Sequence, residues 1–214
     1  MSFGMELIDG NKIGIVGGIR SVEDKNLNFS SASLLDDFWC FSLDNKTFVE
    51  ITKLRLPSPR ASFGLIRHRD ELLLIGGLEI SGEGGACNSN NLGTAGRANA
   101  AKKSLPAATD NVLACRLLRS SSDWPKFANC EEHGAQHYWY LHSKLGQQRI
   151  FPSVARLPDS LLVAGGKTQE HFYLKRTSLA QHCSTYEVLN CETQRWVESP
   201  IMFATFGSSL IGLR

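Results

Sequence analysis

Ile13-Gly14-Ile15-Val16-Gly17-Gly18, Leu72-Leu73-Leu74-Ile75-Gly76-Gly77 and Leu161-Leu162-Val163-Ala164-Gly165-Gly166 are three short apolar runs, each closed by a glycine pair. Runs of this length suit buried strands and are too short for typical helices. A turn signal precedes each of them: Asp9-Gly10-Asn11, His68-Arg69-Asp70 and Pro158-Asp159-Ser160. Before the turn lies another strand-like stretch, opened by Ser2-Phe3-Gly4 or Ser62-Phe63-Gly64, and the opening recurs at Thr205-Phe206-Gly207. Each glycine pair therefore closes a hairpin. The chain is a repeat of hairpins, which is the first thing a fold assignment has to respect.

A second hairpin follows each glycine pair. In the first copy it runs from Asp37 to Val49, and in the third from Ser184 to Val197. The step from Gly18 to Phe48 is 30 positions, and so is the step from Gly166 to Trp196. In the second copy, Asp110-Asn111-Val112 leads through Leu117 to Trp124, which lies 47 positions beyond Gly77. The excess is assigned to Ser81–Thr109, a stretch rich in Gly, Asn, Ser and Ala. Such a stretch has too few large apolar groups to offset its ordering entropy, so it is expected outside the strands.

These residues resemble the kelch repeat, in which a strand ends in Gly-Gly and an aromatic or apolar position is followed, after six intervening residues, by an aromatic. The paired positions are Phe41 with Phe48, Leu117 with Trp124, and Leu189 with Trp196. The resemblance implies an all-β, partial kelch-type β-propeller of about three four-stranded antiparallel blades plus the first strand of a fourth. Blade 1 is expected over about 1–53, blade 2 over about 60–128 with a loop insertion at 81–109, and blade 3 over about 149–199. A long loop is expected at 125–148 and a partial blade at 203–214. Gly17, Gly18, Gly76, Gly77, Gly165 and Gly166 are expected at positive φ where blades meet. Phe48, Trp124 and Trp196 are expected to be equivalent, mostly buried packing residues.

Propellers usually close with four to eight blades. No fourth glycine pair follows Phe206-Gly207 before Arg214. The expectation is a piece of a longer protein, with two copies completing a ring of about six blades, or a self-contained arrangement, as alternatives. If the ring is incomplete, its open faces and strand edges favour self-association.

Composition narrows the function classes. Of the 214 residues, 42% are hydrophobic and 21% charged, which excludes wholesale disorder and allows a sizeable core. Lys+Arg 23 against Asp+Glu 21 leaves +2, so neither nucleic acid nor an anionic membrane is an expected partner. No apolar run approaches the roughly 20 residues of a membrane helix. The amino terminus shows no secretory signal pattern, so a cytoplasmic chain with its six cysteines reduced is expected.

Function is sought in the long connections, because a rigid scaffold displays its binding groups on loops. If the blade strands run a-b-c-d, the b–c loops and d–a links emerge together at one end, and all the long segments are assigned there. Arg20, Arg55, Arg60, Lys175 and Arg176 are candidate partner-binding cations, able to form bidentate bonds with acidic groups. Tyr138, Trp139 and Tyr140 are candidate aromatic anchors for a partner. Cys130, His133, His137 and His142 have spacings that invite a zinc reading, but Gly134 weakens the helix it would need and no standard finger pattern results. No metal or cofactor is expected. No Ser/His/Asp order or matched carboxylate pair stands out, so no catalytic residue is assigned. The resemblance implies a non-catalytic module that binds a protein or peptide, such as the substrate-recognition part of a ubiquitin-ligase adaptor. A propeller enzyme with oxidase or hydrolytic chemistry and a cytoskeletal scaffold are the alternatives.

Overall fold

In the computed structural model the described residues are 3–20, 33–80, 106–117, 138–168, 183, 185–190 and 192–200. The chain is all-β, and its strands form three four-stranded antiparallel sheets and one smaller three-stranded sheet. The first blade consists of β1 (Gly4–Asp9), β2 (Lys12–Arg20), β3 (Ser33–Ser42) and β4 (Thr47–Glu50), paired in chain order. A short 3-10 turn, Thr52–Leu54, starts the link to the next blade. β5 (Arg60–Ala61), β8 (Leu78–Glu79) and β9 (Ala107–Ala108) make the small sheet.

The second blade contains β6 (Gly64–His68), β7 (Glu71–Ile75), β10 (Asn111–Arg116) and β11 (Trp139–Lys144). β12 (Ser153–Leu157), β13 (Ser160–Ala164), β14 (Thr185–Asn190) and β15 (Arg195–Pro200) form the third. Among the described residues no sheet closes into a barrel, and the result is an open, multi-blade stack. None of these residues forms a helix long and apolar enough to cross a membrane.

The glycine pairs lie where expected. All six glycines have positive φ, from +51° at Gly17 to +119° at Gly18. A Cβ on Gly76 would come within 2.6 Å of the Arg149 carbonyl oxygen, and one on Gly77 within 2.6 Å of the Ala61 carbonyl oxygen. The pair thus threads between the link entering its own blade and the link leaving it. Side chains would block both passages.

Registers correct the second copy. Ile13 pairs with Phe41, and Phe41 with Phe48; Leu161 pairs with Leu189, and Leu189 with Trp196. The equivalent row in blade 2 is Leu72, Cys115 and Trp139. Cys115 and Trp139, and not Leu117 and Trp124, therefore hold the paired positions. Leu117 is a buried core residue one step beyond β10, where its amide donates to the Asp70 carbonyl at 2.7 Å. Trp124 lies outside the described residues. Blade 2 consequently does not end near residue 128, and 138–148 is not loop but outer strand and link. The insertion assigned to Ser81–Thr109 is also too long: Ala107–Ala108 is β9, and Thr109 is buried with its amide bonded to the Gly77 carbonyl at 3.0 Å.

Two apolar layers hold the stack together. Between blades 1 and 2 lie Val16, Phe38 and Cys40 from one sheet and Leu72, Leu74, Cys115 and Trp139 from the other, closed by Leu54 and Leu56 of the link. Between blades 2 and 3, Leu73, Ile75, Val112 and Ala114 meet Leu161, Val163 and Leu189. Burial at this scale is the main stabilising term, at about 25 cal/mol per Å² of apolar surface. Successive blades therefore pack by one rule: one face of each sheet meets the opposite face of the next.

That rule explains a failed expectation. Trp139 is 3% exposed, and its Nε1 donates to the Leu54 carbonyl at 2.8 Å, across the junction with blade 1. Trp196 is half-buried, and its Nε1 donates to Ser143 Oγ at 2.9 Å, across the junction with blade 2. Phe48 is 60% exposed. Each closing aromatic packs against the preceding blade, and no described blade precedes the first.

Candidate functional site: the blade ends

The two ends of the stack differ in what they display. At the b–c and d–a end, Arg20 is exposed at the last position of β2. Arg55 follows the 3-10 turn and pairs with Glu50 and, at 4.0 Å, with Asp36. The hydrogen bond to Glu50 raises its already high pKa further. Arg55 thus ties its link to blade 1 while keeping half its side chain in solvent.

Arg60 corrects the sequence reading. It is 2% exposed, and its Nη2 is bonded to Glu79 across the small sheet. Burial lowers its pKa, and the Glu79 carboxylate opposes that shift. Its counterpart in the next link is Arg149: the Arg60 carbonyl lies under Gly17 as the Arg149 carbonyl lies under Gly76. Arg149 is fully buried and reaches Glu187 Oε1 at 3.0 Å, the Gly165 carbonyl at 2.8 Å and Thr185 Oγ1 at 2.6 Å. Glu187 Oε2 accepts the Gly146 amide at 2.6 Å. Neither arginine is a surface contact. Both are internal ties: the Arg149 guanidinium is bonded through all three nitrogens, whereas Arg60 leaves Nη1 buried without a hydrogen-bond partner. Lys175 and Arg176 lie outside the described residues, as do most of the b–c loops.

The aromatic trio also moves. Tyr138 is half-buried against the core between blades 1 and 2, and Trp139 is an interior residue. Only Tyr140 remains at the surface, 40% exposed on β11, with its hydroxyl donating to Glu71 Oε1. Burial and that bond push the phenol up to about 12. Burial likewise pushes the Cys115 thiol to about 12, which makes it a filler and not a nucleophile. Cys130, His133 and His137 lie outside the described residues, while His142 sits on β11 with Nδ1 2.9 Å from Ser143 Oγ.

The a–b and c–d end carries what sequence reasoning missed. Residues 117–138 connect β10 to β11, so this long segment leaves from the end opposite to the one assigned. There, a cleft of about 480 Å³ is lined by Arg69, Asp70, Glu71, Arg116 and Leu117. A second, of about 340 Å³, opens between blades 2 and 3 and is lined by His68, Arg69, Arg156, Leu157, Pro158, Asp159 and Glu192. Arg69 walls both, and it sits at a positive φ of 55° in the a–b turn. Burial lowers the His68 pKa, with Arg69 and Arg156 adding to the effect, so the imidazole is biased to its neutral form beside two guanidinium groups. Arg116 is bonded weakly to Glu71 at 3.5 Å with 84% of its side chain in solvent. The signal that could have revealed this end was the a–b turn itself, His68-Arg69-Asp70, read as a polar wall as well as a turn.

No family model matches the chain, and no curated protein matches it in sequence. Solved structures do match in fold. One, titled "Structure of YjhT", superposes with a TM-score of 0.61 at 13% identity, over 96% of this chain and 52% of that one. The chain thus spans about half the length of that structure. At this identity the likeness concerns the fold alone.

Proposed function

We propose that the chain is a non-catalytic protein-interaction module of the kelch-propeller kind, which takes a segment of a partner protein along the ends of its blades. The observation that carries this reading is the pair of clefts meeting at Arg69. Together they run from Arg116 on the outer half of blade 2 to Glu192 on the outer half of blade 3. Their walls alternate cations with carboxylates, which suits the amides and mixed side chains of a peptide. Arg20 and Arg55 supply the exposed cations of the opposite end, next to the b–c loops and d–a links. Substrate recognition within a ubiquitin-ligase adaptor belongs to the same proposal, and it requires a BTB- or F-box-type segment in the assembly.

The test is a selection of displayed random peptides on the purified chain, followed by fluorescence anisotropy with the enriched sequences. Micromolar binding is expected, weakened at least about tenfold when Arg69→Glu and Arg156→Glu are combined, a loss of about 1.4 kcal/mol or more. Peptides that bind equally well to this variant would remove the clefts from the proposal.

A further inference from the structure

Arg67 and Arg156 hold the same register in blades 2 and 3. Each pairs with the leucine, Leu72 or Leu161, whose row ends in Trp139 or Trp196. At the junction with blade 1, Arg67 is a strap. Its Nη1 donates to the Ile8 carbonyl at 2.9 Å, its Nε to the Arg69 carbonyl at 3.3 Å, and its amide to Glu6 Oε1 at 3.1 Å. Between blades 2 and 3 that strap is missing. The register of Glu6 is taken there by Ile66, which offers no side-chain acceptor. Arg156 is exposed, and its guanidinium bonds nothing among the described residues. The cleft of about 340 Å³ lies at this place, with Arg156 in its wall.

Charge decides what the open cleft takes. His68 and Leu157 are half-buried at its floor, and the charged residues stand exposed at its rim. The Arg69 guanidinium, like that of Arg156, forms no hydrogen bond or ion pair among the described residues, and the rim carboxylates of Asp159 and Glu192 bond neither of them. The charges acting on the His68 ring are those of Arg69, Arg156, His142 and Glu71; Asp159 and Glu192 are not among them, so the floor is the cationic part of the cleft. We infer that this cleft holds the carboxylate of an acidic residue in the partner segment, clamped by the guanidinium groups of Arg69 and Arg156. The inference rests on the peptide-binding reading above and gives that segment its anchor. The bound carboxylate supplies to Arg156 the acceptors that blade 1 supplies to Arg67, and its two oxygens match the planar fork of a guanidinium. The acidic rim repels a more densely charged group, so the anchor is a single carboxylate and not a phosphate.

The experiment is an array of immobilised short peptides with random flanks and a fixed centre of Glu, Gln, Lys or phosphoserine, probed with the purified 214-residue chain. Glu-centred peptides should capture about tenfold more protein than Gln-centred ones, the worth of one charge-assisted hydrogen bond, and Lys-centred ones the least. Arg156→Gln should erase that preference and leave the melting temperature unchanged, because the side chain is exposed and unbonded. Arg67→Gln, at the same register one blade earlier, should do the reverse: Tm falls by about 3 °C or more and the preference stays. Equal capture by Glu- and Gln-centred peptides would overturn this inference alone and leave the peptide-binding reading in place. So would a preference that survives Arg156→Gln, an Arg156→Gln variant that melts earlier, or stronger capture by phosphoserine. No capture by any centre would overturn both.

Discussion

Trp139 shows how a single side chain can be misread from its neighbours. Flanked by tyrosines and preceded by a polar stretch, it has the look of an exposed anchor, yet it is the residue that joins blade 2 to the link leaving blade 1. Its indole provides both apolar area and a donor for the Leu54 carbonyl, which would otherwise lack a partner from that side. Trp139→Ala should destabilise the chain by about 3–5 kcal/mol, the usual cost of emptying a buried aromatic site. Trp139→Phe keeps most of the ring and loses the donor, and should cost about 1–3 kcal/mol. Urea denaturation followed by circular dichroism separates the two. Equal and negligible effects would show that the indole is not part of the junction.

At the scale of the elements, the inner hairpins were legible because local chemistry writes them plainly. A turn, an apolar run and two glycines specify β1–β2, β6–β7 and β12–β13 without reference to the rest of the chain. The outer strand of blade 2 was not, since its partner lies across a long connection and Leu117-x6-Trp124 mimics the expected spacing. Counting backwards would have found it: Trp139 stands 10 positions before Arg149, much as Phe48 stands 12 before Arg60. The buried arginines escaped for a different reason, because a charge destined for an internal tie looks the same in sequence as one destined for solvent. Glu187 sits in the row that is Leu113 in blade 2 and Trp39 in blade 1. Glu187→Leu would leave the Arg149 guanidinium buried without its carboxylate, and should cost about 3–5 kcal/mol. Adding Arg149→Met should recover part of that loss. A double variant less stable than the sum of its two single changes would contradict the internal tie.

The whole molecule is a series of similar sheets, each bonded mainly to its neighbours, so stability is distributed over junctions rather than held in one centre. Fold class followed from the repeat, whereas the candidate site did not: its walls come together only once β10 pairs with β7 and blades 2 and 3 stack. The connection from Arg116 to Trp139 has one more implication. β11 is held by a ladder running from Asn111–Lys144 to Cys115–Trp139, by the Leu145 amide on the Asp110 carbonyl, and by the indole of Trp139. None of these depends on peptide continuity between the two strands. Two polypeptides divided between Leu117 and Tyr138 should therefore assemble when co-expressed, and copurify in equal amounts through a tag on either one. Failure of the fragments to associate would mean that the connection itself supplies stability. Assembly would make this chain divisible at that point into two subunits, with one sheet completed between them through the β10–β11 ladder.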